Sequence, residues 1–106
     1  VKAIINRKRY DTDAPFTTLV ASWNSGHNYG DFCRVDESLY RTGKGSWFIL
    51  GEGGPATVYR RPSGSSGWVG SRKIRPLTPD EACDWLEEHN WPEEIEVWFG
   101  AEIGDA

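Results

Sequence analysis

From Asp80 to Ala106 the sequence contains no lysine and no arginine. The same stretch holds ten carboxylates (Asp80, Glu81, Asp84, Glu87, Glu88, Glu93, Glu94, Glu96, Glu102 and Asp105), while residues 1–79 carry twelve cations against six carboxylates. A formal −10 therefore follows a formal +6, a division that the net charge of −4 conceals. Cysteine is scarce: Cys33 and Cys83 stand alone, too few for a disulfide framework and without zinc-ligand spacing. Free thiols in a reducing compartment are expected, a single Cys33–Cys83 bridge being the alternative. No apolar run approaches the roughly 20 residues of a membrane span. The opening residues also lack the apolar stretch behind a basic start that marks a signal peptide. A soluble protein that is not secreted is expected, with no membrane partner.

Catalytic and cofactor signatures are missing as well. The glycines from Gly51 to Gly54 are not followed by the Lys-Ser/Thr of a phosphate loop and lack dinucleotide-binding spacing, so they read as a turn. His27, His89, Cys33, Cys83 and Asp31 have no ligand-like spacing for a metal. The two histidines offer no argument for a Ser–His–acid arrangement. No catalytic residue, metal site or cofactor is expected, and the chain does not read as an enzyme.

What is present suits one α+β domain over residues 1–106, in which a basic, β-rich segment (1–79) is followed by an acidic, helical one (80–106). Six tryptophans are many for this length, and one or two should stay half exposed as interaction candidates, because a buried indole N–H needs a partner. Ala3–Ile5 and Lys8–Tyr10 read as strands about a turn at Asn6 and Arg7, with Arg7 a poor residue for positive φ. Phe16 to Trp23 reads as a strand and Asn24 to Asp31, with Gly26 and Gly30, as a loop. Between Phe32 and Leu50, two apolar segments flank Gly43-Lys44-Gly45 as a hairpin. Pairing Thr42 with Ser46 sets Tyr40 opposite Phe48 on one face, and Arg41 opposite Trp47 and Leu39 opposite Ile49 on the other. Both faces of the sheet therefore need cover, or else one exposes aromatic surface. Ala56–Arg60 reads as a further short strand, 61–70 as a flexible Ser/Gly/Pro loop, and Ile74 to Leu77 as a last extended piece.

Thr78 as N-cap, Pro79 at N1 and Glu81 at N3 announce a helix with a capping box. At about 100° per residue, Asp80, Glu81, Asp84, Glu87 and Glu88 occupy one arc and Ala82, Cys83, Trp85, Leu86 and His89 the other. Asn90-Trp91-Pro92 ends this helix, and Ile95, Trp98 and Phe99 mark a second, which also carries Glu93, Glu94 and Glu96. The expected fold is an antiparallel sheet of three to five strands packed by one or two C-terminal helices through Trp85, Leu86, Ile95, Trp98 and Phe99.

Carboxylates four apart on a helix stand about 6 Å apart along its axis, comparable to the repeat of a phosphate strand. Asp80, Glu81, Asp84, Glu87, Glu88, Glu93, Glu94 and Glu96 are thus the expected partner-binding residues, a DNA-like face for a cationic cleft. The plain alternative is a solvated outer face, to which Asp80 and Glu81 contribute by complementing the helix N-terminus. Two features weigh against it: no cation intersperses the acids, and pairs such as Asp80 and Asp84 repel. The basic body, with Lys2, Arg7, Lys8, Arg9, Arg34, Arg41, Lys44, Arg60, Arg61, Arg72, Lys73 and Arg75 interleaved with Tyr10, Trp47, Tyr59 and Trp68, could line a nucleic-acid surface. More simply, those cations offset the acidic helices, and the pI of 5.1 is not that of a nucleic-acid binder.

Several patches together resemble a widespread group of small bacterial proteins often encoded by phages and other mobile elements. They are Ile4, Ile5, Asn6, Arg9, Tyr10, Asp11 and Thr12; Glu37, Leu39, Tyr40, Arg41 and Thr42; Gly45, Trp47, Phe48, Gly51, Glu52, Gly53 and Gly54; and Pro76, Leu77, Thr78, Glu81, Ala82, Trp85, Leu86 and Glu87. The resemblance implies an α+β fold and a bacterial cytoplasmic setting, and it carries over no catalytic residue. Where that group would have Gly after Asn6, this chain has Arg7. The chain is also similar in kind to anti-CRISPR inhibitors that block target binding by CRISPR surveillance complexes, an analogy of type without a shared motif. The expected partner is accordingly a host protein or nucleoprotein complex with a basic DNA channel. The alternative is a small nucleic-acid-binding regulator using the basic, aromatic-rich sheet.

Overall fold

The central hairpin forms in the register its sequence implies. In the computed structural model, which describes residues 1–28, 31–65 and 67–106, Thr42 N–H donates to Ser46 O at 2.8 Å and Gly45 takes φ +89°. That is the positive φ a three-residue connection needs at its last position. Strand β4 (Val35–Arg41) then pairs antiparallel with β5 (Trp47–Gly53), matching Leu39 with Ile49, Tyr40 with Phe48 and Arg41 with Trp47. Strand β3 (Thr18–Asn24) adds on one side and β8 (Ser71–Leu77) on the other, giving the antiparallel order β3-β4-β5-β8. The register shifts between Leu19 and Ala21, so the consecutive residues Val20 and Ala21 are both buried.

Because the strands are apolar on both sides, each side is covered. One face receives the hairpin of β1 (Lys2–Ile5) and β2 (Lys8–Asp11), whose Tyr10 meets Phe48 edge-on at 5.6 Å over Ile74 and Leu50. Its turn puts both Asn6 (φ +52°) and Arg7 (φ +64°) in the left-handed region. The tight turn therefore forms despite Arg7, at the steric cost a Cβ carries there. The other face receives α1 (Pro79–Glu88) and α2 (Pro92–Phe99), with Trp85, Leu86, Ile95 and Phe99 buried and Trp98 half-buried against Leu39, Trp47 and Ile49. The C-terminal helices pack on an antiparallel sheet through the five expected residues. A short 3-10 turn, Gly100–Glu102, follows.

Both ends of α1 are capped by local chemistry. Thr78 Oγ1 accepts from Glu81 N–H at 3.1 Å, and Glu81 Oε1 accepts from Thr78 N–H at 2.8 Å, which completes the capping box. At the other end Asn90 takes φ +61°, its N–H donates to Glu87 O and Trp91 N–H to Leu86 O, a Schellman pattern with Asn in glycine's usual place.

Three expectations are corrected. Residues 56–60 form turns, not a strand, and their Tyr59 is 1% exposed. The stretch 61–70 contains a small hairpin of β6 (Arg61–Ser63) and β7 (Gly67–Val69). Gly51–Gly53 continue β5 instead of ending it: a methyl at Gly51 would overlap the Tyr59 ring, so the glycine is the space the tyrosine occupies. Gly30, expected as a loop glycine, lies outside the described residues, as does Ser66 within 61–70.

Candidate functional site

Helical geometry sorts the carboxylates of α1 and α2 onto the outer surface. Asp80, Glu81, Asp84, Glu87 and Glu88 are exposed on α1, opposite buried Ala82, Trp85 and Leu86; Glu93 and Glu96 are exposed on α2, and Glu94 is half-buried. The structure thus places all eight expected residues on one helical layer. Glu102 joins them from the 3-10 turn. The Cys83 thiol is pushed up by burial first, then by the negative charge of Glu87, Asp84, Glu102 and Asp80, which therefore converge around it from two elements.

None of the ten carboxylates of 80–106 makes an ion pair among the described residues. The ion pairs among the described residues lie elsewhere: the N-terminal amine with Asp13, Arg34 with Asp36, and Glu37 with Arg75. The basic body reaches the helical layer without an ion pair to these carboxylates among the described residues: Arg41 lies over the Trp98 ring of α2 at 4.9 Å. Nor does α1 carry a cation in its last turn, where Glu87 and Glu88 oppose the helix dipole.

Besides the apolar packing, a buried charge that sequence reading missed ties α1 to the sheet. Glu37 lies on β4 on the same face as Leu39 and is 8% exposed. Its Oε2 accepts from the Tyr59 hydroxyl and from Arg75 Nη2 at 3.0 Å, and its Oε1 accepts from Trp85 Nε1 at 3.0 Å. His89 Nε2 stands 4.0 Å from Oε1, and Arg75 Nε also donates to the Tyr59 oxygen at 3.2 Å. Three donors from separate parts of the chain, Tyr59, Arg75 and Trp85, make burial of this carboxylate tolerable. Burial, then the bond to Glu37, hold the Tyr59 phenol well above the ordinary tyrosine range. With both oxygens engaged, Glu37 joins α1 to the sheet. Its only sequence signal was a carboxylate at a core-facing position of an alternating strand.

The aromatic nucleic-acid surface does not assemble. Tyr10, Trp47 and Tyr59 are buried, and of the four interleaved aromatics only Trp68 is exposed, with Arg60 over its ring at 4.3 Å. A different basic feature exists instead. Arg7, Lys8, Arg9 and Lys44 line a groove of about 890 Å³ between the β1–β2 hairpin and the β4–β5 turn, with Phe16 at its side. Phe16 is 81% exposed while its Cβ would stand 2.6 Å from a methyl on Gly43, so close backbone approach fixes the residue and leaves its ring outside.

Two tryptophans are half-buried at the rim of the acidic layer. Trp23 of β3 lies against His89 with ring centroids 4.3 Å apart and the planes tilted by 31°, and Trp91 lies in the α1–α2 turn. Cys33 is exposed and Cys83 half-buried, both as free thiols. Among the described residues no group of three or more His, Cys, Asp or Glu is placed to hold a metal ion, and no helix is long and apolar enough to cross a membrane. Comparison with protein-family models, curated proteins and solved structures returns no match for this chain.

Proposed function

We propose that this chain is a stoichiometric inhibitor that presents its acidic helical layer to a basic nucleic-acid channel and so excludes DNA from it. A phage or mobile-element inhibitor of a host defence complex, of the anti-CRISPR type, is the setting that the sequence resemblance favours. The observation that supports this reading is that, among the described residues, none of the ten carboxylates forms an ion pair in a chain with twelve cations. The β1–β2 hairpin and the helices lie on opposite faces of the sheet, roughly 20 Å apart at about 10 Å per layer. That exceeds the Debye length of about 10 Å at 0.1 M salt, so the hairpin's basic charge leaves the helical field largely intact. The eight carboxylates of α1 and α2 outweigh the nearby cation Arg41, which lies over Trp98, and a net negative field on a capped helix steers association with a cationic cleft. The inhibition involves no catalytic step and no cofactor.

The test is competition. Added to a CRISPR surveillance complex before its target DNA, the protein is expected to block DNA binding in a gel shift while leaving free DNA unshifted. The Glu87→Lys/Glu88→Lys/Glu94→Lys variant should lose this effect and keep its circular dichroism. If the folded variant competes as well as the parent, mimicry by this face is wrong. Capture from bacterial lysate would widen the search for the complex.

The groove of Arg7, Lys8, Arg9 and Lys44, with exposed Phe16 beside it, favours one second reading, a small nucleic-acid-binding regulator. Four phosphate contacts would give a log–log salt slope of about −3.6 on duplex DNA. Absence of any salt-sensitive DNA binding removes this reading.

A further inference from the structure

The turn between α1 and α2 meets edge strand β3 at a notch of about 420 Å³, lined by Trp23, Asn24, His89, Asn90, Trp91 and Glu93. We infer that this notch seats one arginine side chain of the partner, the anchoring contact of the acidic face. The inference rests on the reading that the acidic layer is the docking surface.

Three observations point to a cation. Two indoles line the notch, and an indole ring attracts a positive charge placed over its face. Trp91 pairs with no other aromatic ring among the described residues, whereas Trp23 is held in a tilted contact with His89, whose ring also meets Trp85 edge-on at 4.6 Å. The aromatic wall on the strand side is therefore fixed before any ligand arrives. The second observation is charge: Glu93 is exposed and unpaired, and the notch is lined by no lysine or arginine. The third is the helix itself. The notch opens at the C-terminal end of α1, where the backbone dipole is negative and no basic side chain in the last turn complements it. The opposite dipole at the start of α2 is met by Glu93 and Glu94.

Arginine fits better than lysine. A planar guanidinium can lie against an indole while its N–H fork meets a carboxylate and the Asn90 or Asn24 amide oxygen, whereas an ammonium offers a point charge only. Arginine and tryptophan are also the residues most often found at the energetic centre of interfaces.

The experiment is calorimetric titration of the intact protein with hexa-arginine and hexa-lysine peptides at low salt. The parent is expected to bind hexa-arginine at least about fivefold more tightly, and Trp91→Ala to erase that preference. Trp91 packs partly against the core, so Glu93→Gln is paired with Glu96→Gln, an equal charge change on the same helix outside the notch. Only the Glu93 change should lower the arginine preference. Equal binding of the two peptides by the parent, or a preference that survives both Trp91→Ala and Glu93→Gln, overturns the proposal. The Glu87/Glu88/Glu94 charge reversal separates it from the inhibitor reading. If reversal weakens both peptides and the arginine preference remains, both stand; if reversal leaves both unchanged, the acidic-face reading falls while the notch is still judged by its own variants.

Discussion

Glu37 is where most of the polar chemistry of the buried interior converges, and its neighbour Tyr59 makes that chemistry measurable. In the folded protein the phenol keeps its proton beyond the ordinary tyrosine value of about 10, because it is buried and donates to Glu37. Below about pH 10 folded and unfolded chains both hold this proton, and its contribution to stability is constant. Above it the unfolded chain releases the proton while the folded one retains it, so stability falls as pH rises, by up to about 1.4 kcal/mol per pH unit. Urea denaturation of the parent between about pH 10 and 11.5 should thus show a steeper loss than that of Tyr59→Phe, whose ring has no proton to lose. Other tyrosines and lysines titrate in both proteins, so the difference in slope isolates Tyr59. Equal slopes would mean that neither burial nor Glu37 holds the phenol's proton.

At the level of elements, α1 is defined at both ends by short-range rules, and its C-terminal rule can be tested. Asn90 at φ +61° takes a place glycine fills more easily. Asn90→Gly should leave stability unchanged or raise it, while Asn90→Ala should lower it by about 1 kcal/mol, read from thermal melts. A harmless alanine would show that the αL cap contributes little. Features of this local kind were legible in the sequence: Thr78 with Glu81 for the capping box, and Gly43-Lys44-Gly45 for the hairpin and its cross-strand pairs. The eight carboxylates were legible because helical periodicity alone sets them opposite Trp85 and Leu86. What was not legible depends on distant partners. The Tyr59, Arg75 and Trp85 that satisfy Glu37 lie 22, 38 and 48 residues away along the chain. Gly51 looked like a strand breaker because the ring that fills its missing side chain arrives from a turn with no periodicity to announce it. The same blindness put Tyr10, Trp47 and Tyr59 on a surface. Composition sees aromatics beside cations, and only the three-layer topology shows that both faces of the sheet are covered.

Across the whole molecule, the arrangement of charge carries a cost to the fold that a merely solvated surface would not need. On α1, Asp80 and Asp84, and again Asp84 and Glu88, stand four residues apart with like charge, each pair destabilising by about 0.2–0.5 kcal/mol. Glu88 also faces the negative end of the helix dipole. Glu88→Lys turns the second pair into an acid followed by a base four residues on, the favourable orientation, and complements the dipole at once. The variant should therefore be more stable than the parent by about 0.5–1 kcal/mol at low ionic strength, with the gain shrinking as salt rises. If the layer serves to occupy a basic channel, the same substitution should weaken competition with DNA. Gain of stability together with loss of competition is the joint outcome expected of a face kept for binding. Gain of stability with competition intact would place the docking residues elsewhere on the layer, nearer Glu93 and the α1–α2 turn. A variant less stable than its parent would mean that Glu88 has a compensating interaction, and unpaired charge would then no longer speak for docking at this face.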